Sequence, residues 1–83
     1  MNEIRVFGAD WCEDTSRTRE HLAELGLKYD YINIDKDQTA KKWVAQQNNG
    51  KQQTPTVDVK GTILIEPSNE ELDQALKLRG LRQ

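Results

Sequence analysis

The sequence predicts a small α/β domain with the element order β-α-β-α-β-β-α, in which three helices flank a four-stranded mixed sheet. Runs rich in β-forming residues alternate with runs of helical periodicity. The opening strand–helix–strand unit implies a right-handed crossover between parallel neighbours. A short turn joins the last two strands and indicates an antiparallel hairpin. With 83 residues, the chain is predicted to form one domain over 1–83.

The first strand is predicted over 4–8, where β-forming side chains end at a glycine. The first helix is predicted over 13–25, because Thr18, Leu22 and Leu25 share one helical face. This face is expected to pack on the sheet.

The second strand is predicted over 29–35, where Tyr and Ile recur with a period of two. Asp37 or Thr39 can cap the second helix. Trp43 lies on the apolar face of this helix and is expected in the core.

The third and fourth strands are predicted over 56–59 and 62–65, joined by a tight Lys-Gly turn. Ser68 and Glu71 have the spacing of a capping box at the start of the last helix.

Composition and charge exclude several classes of protein. The net charge of −2 and pI of about 5.3 argue against a nucleic-acid binder. No apolar run approaches the length of a membrane span, and no secretory signal is visible at the N-terminus. One Cys and one His rule out an ordinary four-ligand zinc site within one chain. A cytoplasmic monomer is expected.

Cys12 is the candidate reactive group, since it follows a strand and stands where the first helix begins. The positive end of a helix stabilises a thiolate, which is the nucleophile of disulfide exchange. The hydroxyl of Thr15 can donate to the sulfur, whereas the charges of Glu13 and Asp14 oppose a neighbouring anion. The pKa of Cys12 is therefore expected to be lowered, but not extremely. The alternative is a small buried hydrophobic residue.

The Thr54–Pro55 segment and Trp11 have two interpretations each. A cis bond before Pro55 would turn the backbone of Thr54 toward a neighbouring loop, whereas a trans proline would simply begin a strand. Trp11 is either a lid over the thiol or, as favoured here, a docking surface. His21 is expected to face solvent.

These features together resemble the glutaredoxin branch of the thioredoxin fold. The resemblance rests on Trp-Cys-x-x after the first strand, Thr-Pro before the third, the hairpin and the capped last helix. Residues 32–35, 53–57 and 66–72 resemble small bacterial glutaredoxin-like proteins and mycoredoxins. The resemblance implies a thioredoxin-like sheet of order 2-1-3-4 and a cis Thr54–Pro55 bond beside Cys12.

The resemblance also implies roles for the site residues. Cys12 would be the nucleophilic thiol of a thiol–disulfide oxidoreductase. No tightly bound cofactor is implied; glutathione or another low-molecular-weight thiol would be the co-substrate, and a disulfide-bearing protein or peptide the partner. The supporting residues would be Trp11, Glu13, Asp14 and Thr15, and the thiol- or substrate-binding residues would be Gln53, Thr54, Pro55, Ser68 and Asn69.

The sequence departs from the family pattern at three places. Thr15 stands where the family has its second Cys, so only a monothiol cycle is chemically possible. Ala9 stands where glutathione-using members have a Lys, and residues 66–69 replace their Gly-Gly-x-Asp. The thiol could thus differ from glutathione, or glutathione could bind weakly.

Three alternatives remain open. The strongest is a catalytically weak or inactive binding or regulatory module. An arsenate reductase and an iron–sulfur cluster shared by two chains are the others.

Overall fold

The computed structural model describes residues 2–82, so the two ends of the predicted 1–83 domain lie outside the described range. Its elements follow the predicted order β-α-β-α-β-β-α. They are β1 (Ile4–Gly8), α1 (Glu13–Glu24), β2 (Asp30–Asn33), α2 (Gln38–Gln47), β3 (Thr56–Val59), β4 (Thr62–Ile65) and α3 (Asn69–Leu78).

The four strands form one mixed sheet of order β2-β1-β3-β4, as predicted. β1 is parallel to β2 and antiparallel to β3, and β3 is antiparallel to β4. At the centre, Val6 lies between Tyr31 of β2 and Val57 of β3. This arrangement is the thioredoxin-like fold, and it brings the end of β1 next to the start of β3.

The core is divided between the two faces of the sheet, because successive side chains of each strand point to opposite faces. The larger cluster contains apolar side chains from the sheet, α1 and α3, among them Val6, Leu22, Val57, Leu72 and Leu76. The smaller cluster lies under α2 and comprises Phe7, Ile34, Ala40 and Val44.

Two predictions, the length of β2 and the burial of Trp43, need correction. β2 is shorter than 29–35, because only the residues opposite Arg5–Gly8 pair with β1. Beyond β2 the chain turns, and the Asn33 side chain accepts a hydrogen bond from the Asp35 N–H. Trp43 is half-buried rather than fully in the core, since it packs its ring 4.6 Å from that of Phe7 at the edge of α2.

The helix ends follow the sequence closely. α1 ends at Glu24, one residue before the predicted end. The Asp37 carboxylate, not Thr39, caps α2 by accepting from the Ala40 N–H at 3.0 Å. The predicted capping box of Ser68 and Glu71 begins α3. None of the helices within residues 2–82 is long and apolar enough to cross a membrane.

His21 does not face solvent as expected. Its Nε2 lies 2.7 Å from an oxygen of Asp73 on α3, and its side chain is largely covered. The sequence missed this pair because its two members are 52 residues apart.

Candidate active site

Cys12 is the N-cap residue of α1. Its N–H donates to the Ala9 carbonyl at 3.1 Å, and its own carbonyl accepts from the Ser16 N–H at 3.2 Å. The side chain makes no capping hydrogen bond and remains partly exposed. The sulfur is therefore held at the positive end of a 12-residue helix, within reach of a substrate.

The Thr54–Pro55 segment lies against this sulfur. The Thr54–Pro55 peptide bond is cis, as the family resemblance implied. The Cys12 Sγ is 3.7 Å from the Thr54 carbonyl oxygen, which accepts the S–H hydrogen bond of the protonated thiol. Both Thr54 and Pro55 are buried, so this side of the site is set by packed backbone.

The pKa of Cys12 is lowered, in agreement with the expectation from sequence. Burial of the thiol opposes this by raising the pKa, but hydrogen bonds to the thiolate outweigh burial. The donors are the side chains of Thr15 and Thr54, followed by the backbone N–H groups of Thr15 and Asp14. The start of α1 thus favours the nucleophilic form of the sulfur.

Thr15 fills a space that β1 leaves open at Gly8. Only 1% of Thr15 is exposed, and its Oγ1 lies 3.4 Å from the Ala9 N–H. A Cβ added to Gly8 would come within 2.6 Å of that same oxygen. Gly8 was predicted only as the end of a strand. The signal for this contact is a glycine that precedes a helix with a β-branched residue in its first turn.

Arg17 connects the start of α1 to the segment that precedes α3. Its guanidinium pairs with Asp14 at 2.9 Å and donates to the Pro67 carbonyl at 3.2 Å. The negative charge of Asp14 is thereby offset close to the thiol. The i, i+3 spacing of Asp14 and Arg17 was the sequence signal for this pair.

A shallow cleft of about 360 Å³ opens beside Arg17 at the N-terminus of α3. Ser68, Asn69 and Glu70 line the rest of it. The Asn69 Oδ1 is buried and has no hydrogen-bond partner within residues 2–82. This cleft combines a guanidinium with the positive end of a helix, which is a combination that binds carboxylates.

The proline loop and the α3 segment lie side by side. The Glu66 N–H donates to the Pro55 carbonyl at 2.8 Å. Gln53 uses its side-chain oxygen to accept from Asn48 and its backbone carbonyl to accept from Thr56. The acceptor groups of Gln53 are therefore engaged within the loop, and any contact it makes with a substrate would use its amide nitrogen.

The loop on the opposite side of Cys12 is anchored to β2. Trp11 is 74% exposed, and its Nε1 donates to Asp35 at 2.9 Å. The Tyr31 hydroxyl donates to Asp10 at 2.7 Å. Burial, followed by this bond to Asp10, raises the pKa of Tyr31 to about 12, so Tyr31 remains a donor at neutral pH. Neither hydrogen bond was predicted from the sequence.

Comparison with known proteins adds independent evidence. The glutaredoxin family model matches residues 4–64. Mycoredoxin 1 of Corynebacterium glutamicum is 33% identical over 57 residues, which are 69% of this chain and 70% of that protein.

Solved structures give a consistent picture. Glutaredoxin from Archaeoglobus fulgidus aligns with a TM-score of 0.75 at 25% identity, covering 93% of this chain and 88% of that one. The buckwheat glutaredoxin–glutathione complex aligns with a TM-score of 0.73 at 21% identity, covering 99% and 83% respectively, and shares the fold.

A partly exposed cysteine at a helix start beside a cis-proline, on a thioredoxin-like sheet, is the arrangement of a glutaredoxin-like thiol oxidoreductase. The chain belongs to the glutaredoxin family.

Proposed function

We propose that this protein reduces mixed disulfides between a low-molecular-weight thiol and a protein or peptide, by a monothiol mechanism. The observation that carries the proposal is that Cys12, the only cysteine of the sequence, is partly exposed at the start of α1 with a lowered pKa. A single thiol can exchange with a disulfide, but it cannot form an internal disulfide.

In the first step, the Cys12 thiolate attacks the small-thiol sulfur of the mixed disulfide. A new S–S bond forms between Cys12 and the small thiol, and the original S–S bond breaks. The partner leaves as a thiolate and takes a proton from water. The lowered pKa of Cys12 raises the fraction of nucleophilic thiolate present at neutral pH.

In the second step, a free small thiol regenerates the protein. Its thiolate attacks the small-thiol sulfur bound to Cys12, and Cys12 leaves as the thiolate. The product is the disulfide of two small thiols, which supply the two electrons consumed in one cycle. The donors that stabilise the Cys12 thiolate also make it a better leaving group.

Binding of the small thiol is assigned to the side of the site formed by the proline loop and α3. The backbone of Thr54 can pair with the thiol in the manner of a β-strand. The cleft of Arg17, Ser68 and Asn69 suits a carboxylate or a polar group. The buckwheat structure is a complex with glutathione, so glutathione is one of the thiols to be tested here.

The residues that differ from the family pattern affect which small thiol can bind. Ala9 is buried and carries no charge, and Glu66 at the start of the α3 segment is exposed and acidic. Glutathione-using members have a Lys at the position of Ala9 and a Gly at the position of Glu66. This protein therefore has an apolar residue in place of a positive one and a negative residue in place of a neutral one. This favours a thiol with fewer carboxylates than glutathione. We further propose that the protein works as a monomer in a reducing compartment such as the cytoplasm.

Activity of the Cys12→Ser variant tests the proposal. We expect the native protein to reduce a peptide mixed disulfide in the presence of excess small thiol, and the variant to give only the uncatalysed rate. Glutathione and a neutral small thiol are compared in the same assay. Far-ultraviolet circular dichroism checks that the variant remains folded.

Two results would overturn the proposal. Turnover that survives in Cys12→Ser would remove Cys12 from the chemistry. No turnover by the native protein with any small thiol would favour the alternative of a non-catalytic binding module, to which the acidic Glu13 and Asp14 beside the thiol point.

A further inference from the structure

An exposed acidic and aromatic surface lies beside Cys12 and takes no part in the exchange steps above. It is formed by Asp10, Trp11, Glu13 and Asp35, which are all exposed, and is called the Trp11 surface below. An exposed aromatic side chain next to a reactive group is a common anchor for a partner protein.

The indole of Trp11 is held in place although 74% of the residue is exposed. The hydrogen bond from its Nε1 to Asp35 joins the β1–α1 loop to the turn after β2. An aromatic ring that is fixed before binding loses little conformational freedom when a partner packs against it. The exposed and anchored ring is therefore available for contact with a partner.

Three exposed carboxylates belong to this surface: Asp35, which is bonded to the indole, and Asp10 and Glu13, which lie one and two residues from Trp11 in the chain. Asp35 and Asp10 each accept one of the anchoring bonds through a single oxygen, from Trp11 and Tyr31 respectively. Among residues 2–82, neither carboxylate forms an ion pair. Two cations are near: Lys36 follows Asp35 in the chain, and Arg19 packs 3.9 Å above the Tyr31 ring.

The sheet order separates the Trp11 surface from the side assigned to the small thiol. β1 lies between β2 and β3, so the turn after β2 and the proline loop before β3 lie on opposite sides of Cys12. The Arg17 cleft belongs to the proline-loop side, through the Pro67 and Glu66 bonds. A mixed disulfide whose small half lies near Thr54 directs its protein half toward Trp11.

We propose that the Trp11 surface docks a positively charged segment of the disulfide-bearing partner, with a Lys or Arg side chain near its half-cystine packed on the indole. This inference rests on the proposed function and names its class of protein substrate. A cation lying on an indole face gains from the ring quadrupole, and adjacent carboxylates add ionic attraction. Charge complementarity of this kind accelerates encounter and discriminates against acidic partners.

The test compares two peptide mixed disulfides that differ only in the residues flanking the cysteine, Lys in one and Glu in the other. Each rate is corrected for the reaction with the small thiol alone. At low ionic strength we expect kcat/KM for the Lys peptide to exceed that for the Glu peptide about tenfold, and this ratio to fall in high salt.

The double variant Asp10→Asn, Asp35→Asn locates the effect. Asn retains an acceptor for Tyr31 and for Trp11, so the anchors are preserved while two charges are removed. We expect the Lys-to-Glu ratio to fall to about one or two. The control Glu24→Gln removes one exposed carboxylate at the far end of α1, about 18 Å along the helix from Cys12, and should leave the ratio unchanged.

The outcomes separate this inference from the proposed function. Equal reduction of both peptides by the native protein would overturn the docking inference and leave the monothiol cycle intact. The docking inference would also be overturned if the double variant kept the preference for the Lys peptide, or if Glu24→Gln abolished that preference equally. Either result would assign the preference to the overall charge of the protein. Reduction of neither peptide would contradict the proposed function itself.

Discussion

At the scale of single residues, the lowered pKa of Cys12 depends on a few hydrogen-bond donors, most of them at the start of α1. The Thr15 hydroxyl is the leading donor that lowers the pKa of Cys12, against the opposing effect of burial. Gly8 makes room for the Thr15 side chain at the end of β1. Thr15, which stands where the family pattern has its second Cys, therefore helps to lower the pKa of Cys12.

Substitution Thr15→Val keeps the shape of the side chain and removes the hydroxyl. We expect the pKa of Cys12 to rise, because the thiolate loses a donor while the thiol does not. Exchange at neutral pH should slow about fivefold, equivalent to one hydrogen bond of about 1 kcal/mol. The rise of rate with pH should also shift to higher pH. Ultraviolet absorbance of the thiolate, followed as a function of pH, measures the pKa.

Thr18→Val is the matched control, since the Thr18 hydroxyl is buried without a partner among residues 2–82 and lies one turn further along α1. This change should leave the pKa of Cys12 in place. A Thr15→Val protein with an unaltered pH–rate profile would show that Thr15 only fills space.

Some residues of the site were predictable from the sequence and others were not. Cys12 at a helix start and Thr54–Pro55 before a strand follow from local patterns and from family likeness. The bonds of Trp11 to Asp35 and of Tyr31 to Asp10 join residues more than 20 positions apart. Such contacts depend on the register of β1 against β2, which local patterns do not specify.

At the scale of elements, α1 and α3 are joined by a small ionic cluster on the far side of α1 from the thiol. One oxygen of Asp73 accepts from His21 at 2.7 Å and from Arg82 at 2.8 Å. The hydrogen bond from His21 lowers the pKa of Asp73, burial opposes this, and Arg82 lowers it further. The cluster thus holds α3 against α1 while Asp73 is ionised.

Asp73→Asn should lower the free energy of unfolding by about 1 kcal/mol at neutral pH. A carboxylate whose pKa is lowered on folding stabilises the protein above its unfolded pKa of about 3.9, and this contribution is lost as the pH falls through its folded pKa. The native and variant proteins should therefore converge in stability at strongly acidic pH. Urea denaturation across the pH range measures the difference.

Glu20→Gln, an exposed change on α1, provides the control and should leave stability within about 0.5 kcal/mol of native. A difference between Asp73→Asn and native protein that is constant with pH would mean that ionisation of Asp73 does not stabilise the fold.

The elements themselves were largely predictable. The strands 4–8, 56–59 and 62–65 and the capping box agree with the structure to the residue, because their signals are local: β-forming runs, a tight turn and a side-chain cap. β2 was overextended because its alternating pattern continues past the last residue that pairs with β1.

At the scale of the whole molecule, the strand order gives the site two different sides. The proline loop and the N-terminus of α3 flank Cys12 on the β3 side, with Arg17 as their cation. The turn after β2 flanks it on the other side, with Trp11 and its carboxylates. The fold class was predictable from sequence. The difference between the two sides of the site was not, because it depends on which strands are neighbours in the sheet.

Trapping of the reaction intermediate tests the monothiol cycle most directly. Native protein is mixed with one equivalent of a mixed disulfide between a peptide and a small thiol, without free small thiol, and is quenched with acid. Intact-mass spectrometry should show Cys12 carrying the small thiol and the peptide released with a free thiol, whereas Cys12→Ser should remain unmodified. Native protein that stays unmodified, or that carries the peptide in place of the small thiol, would contradict the mechanism.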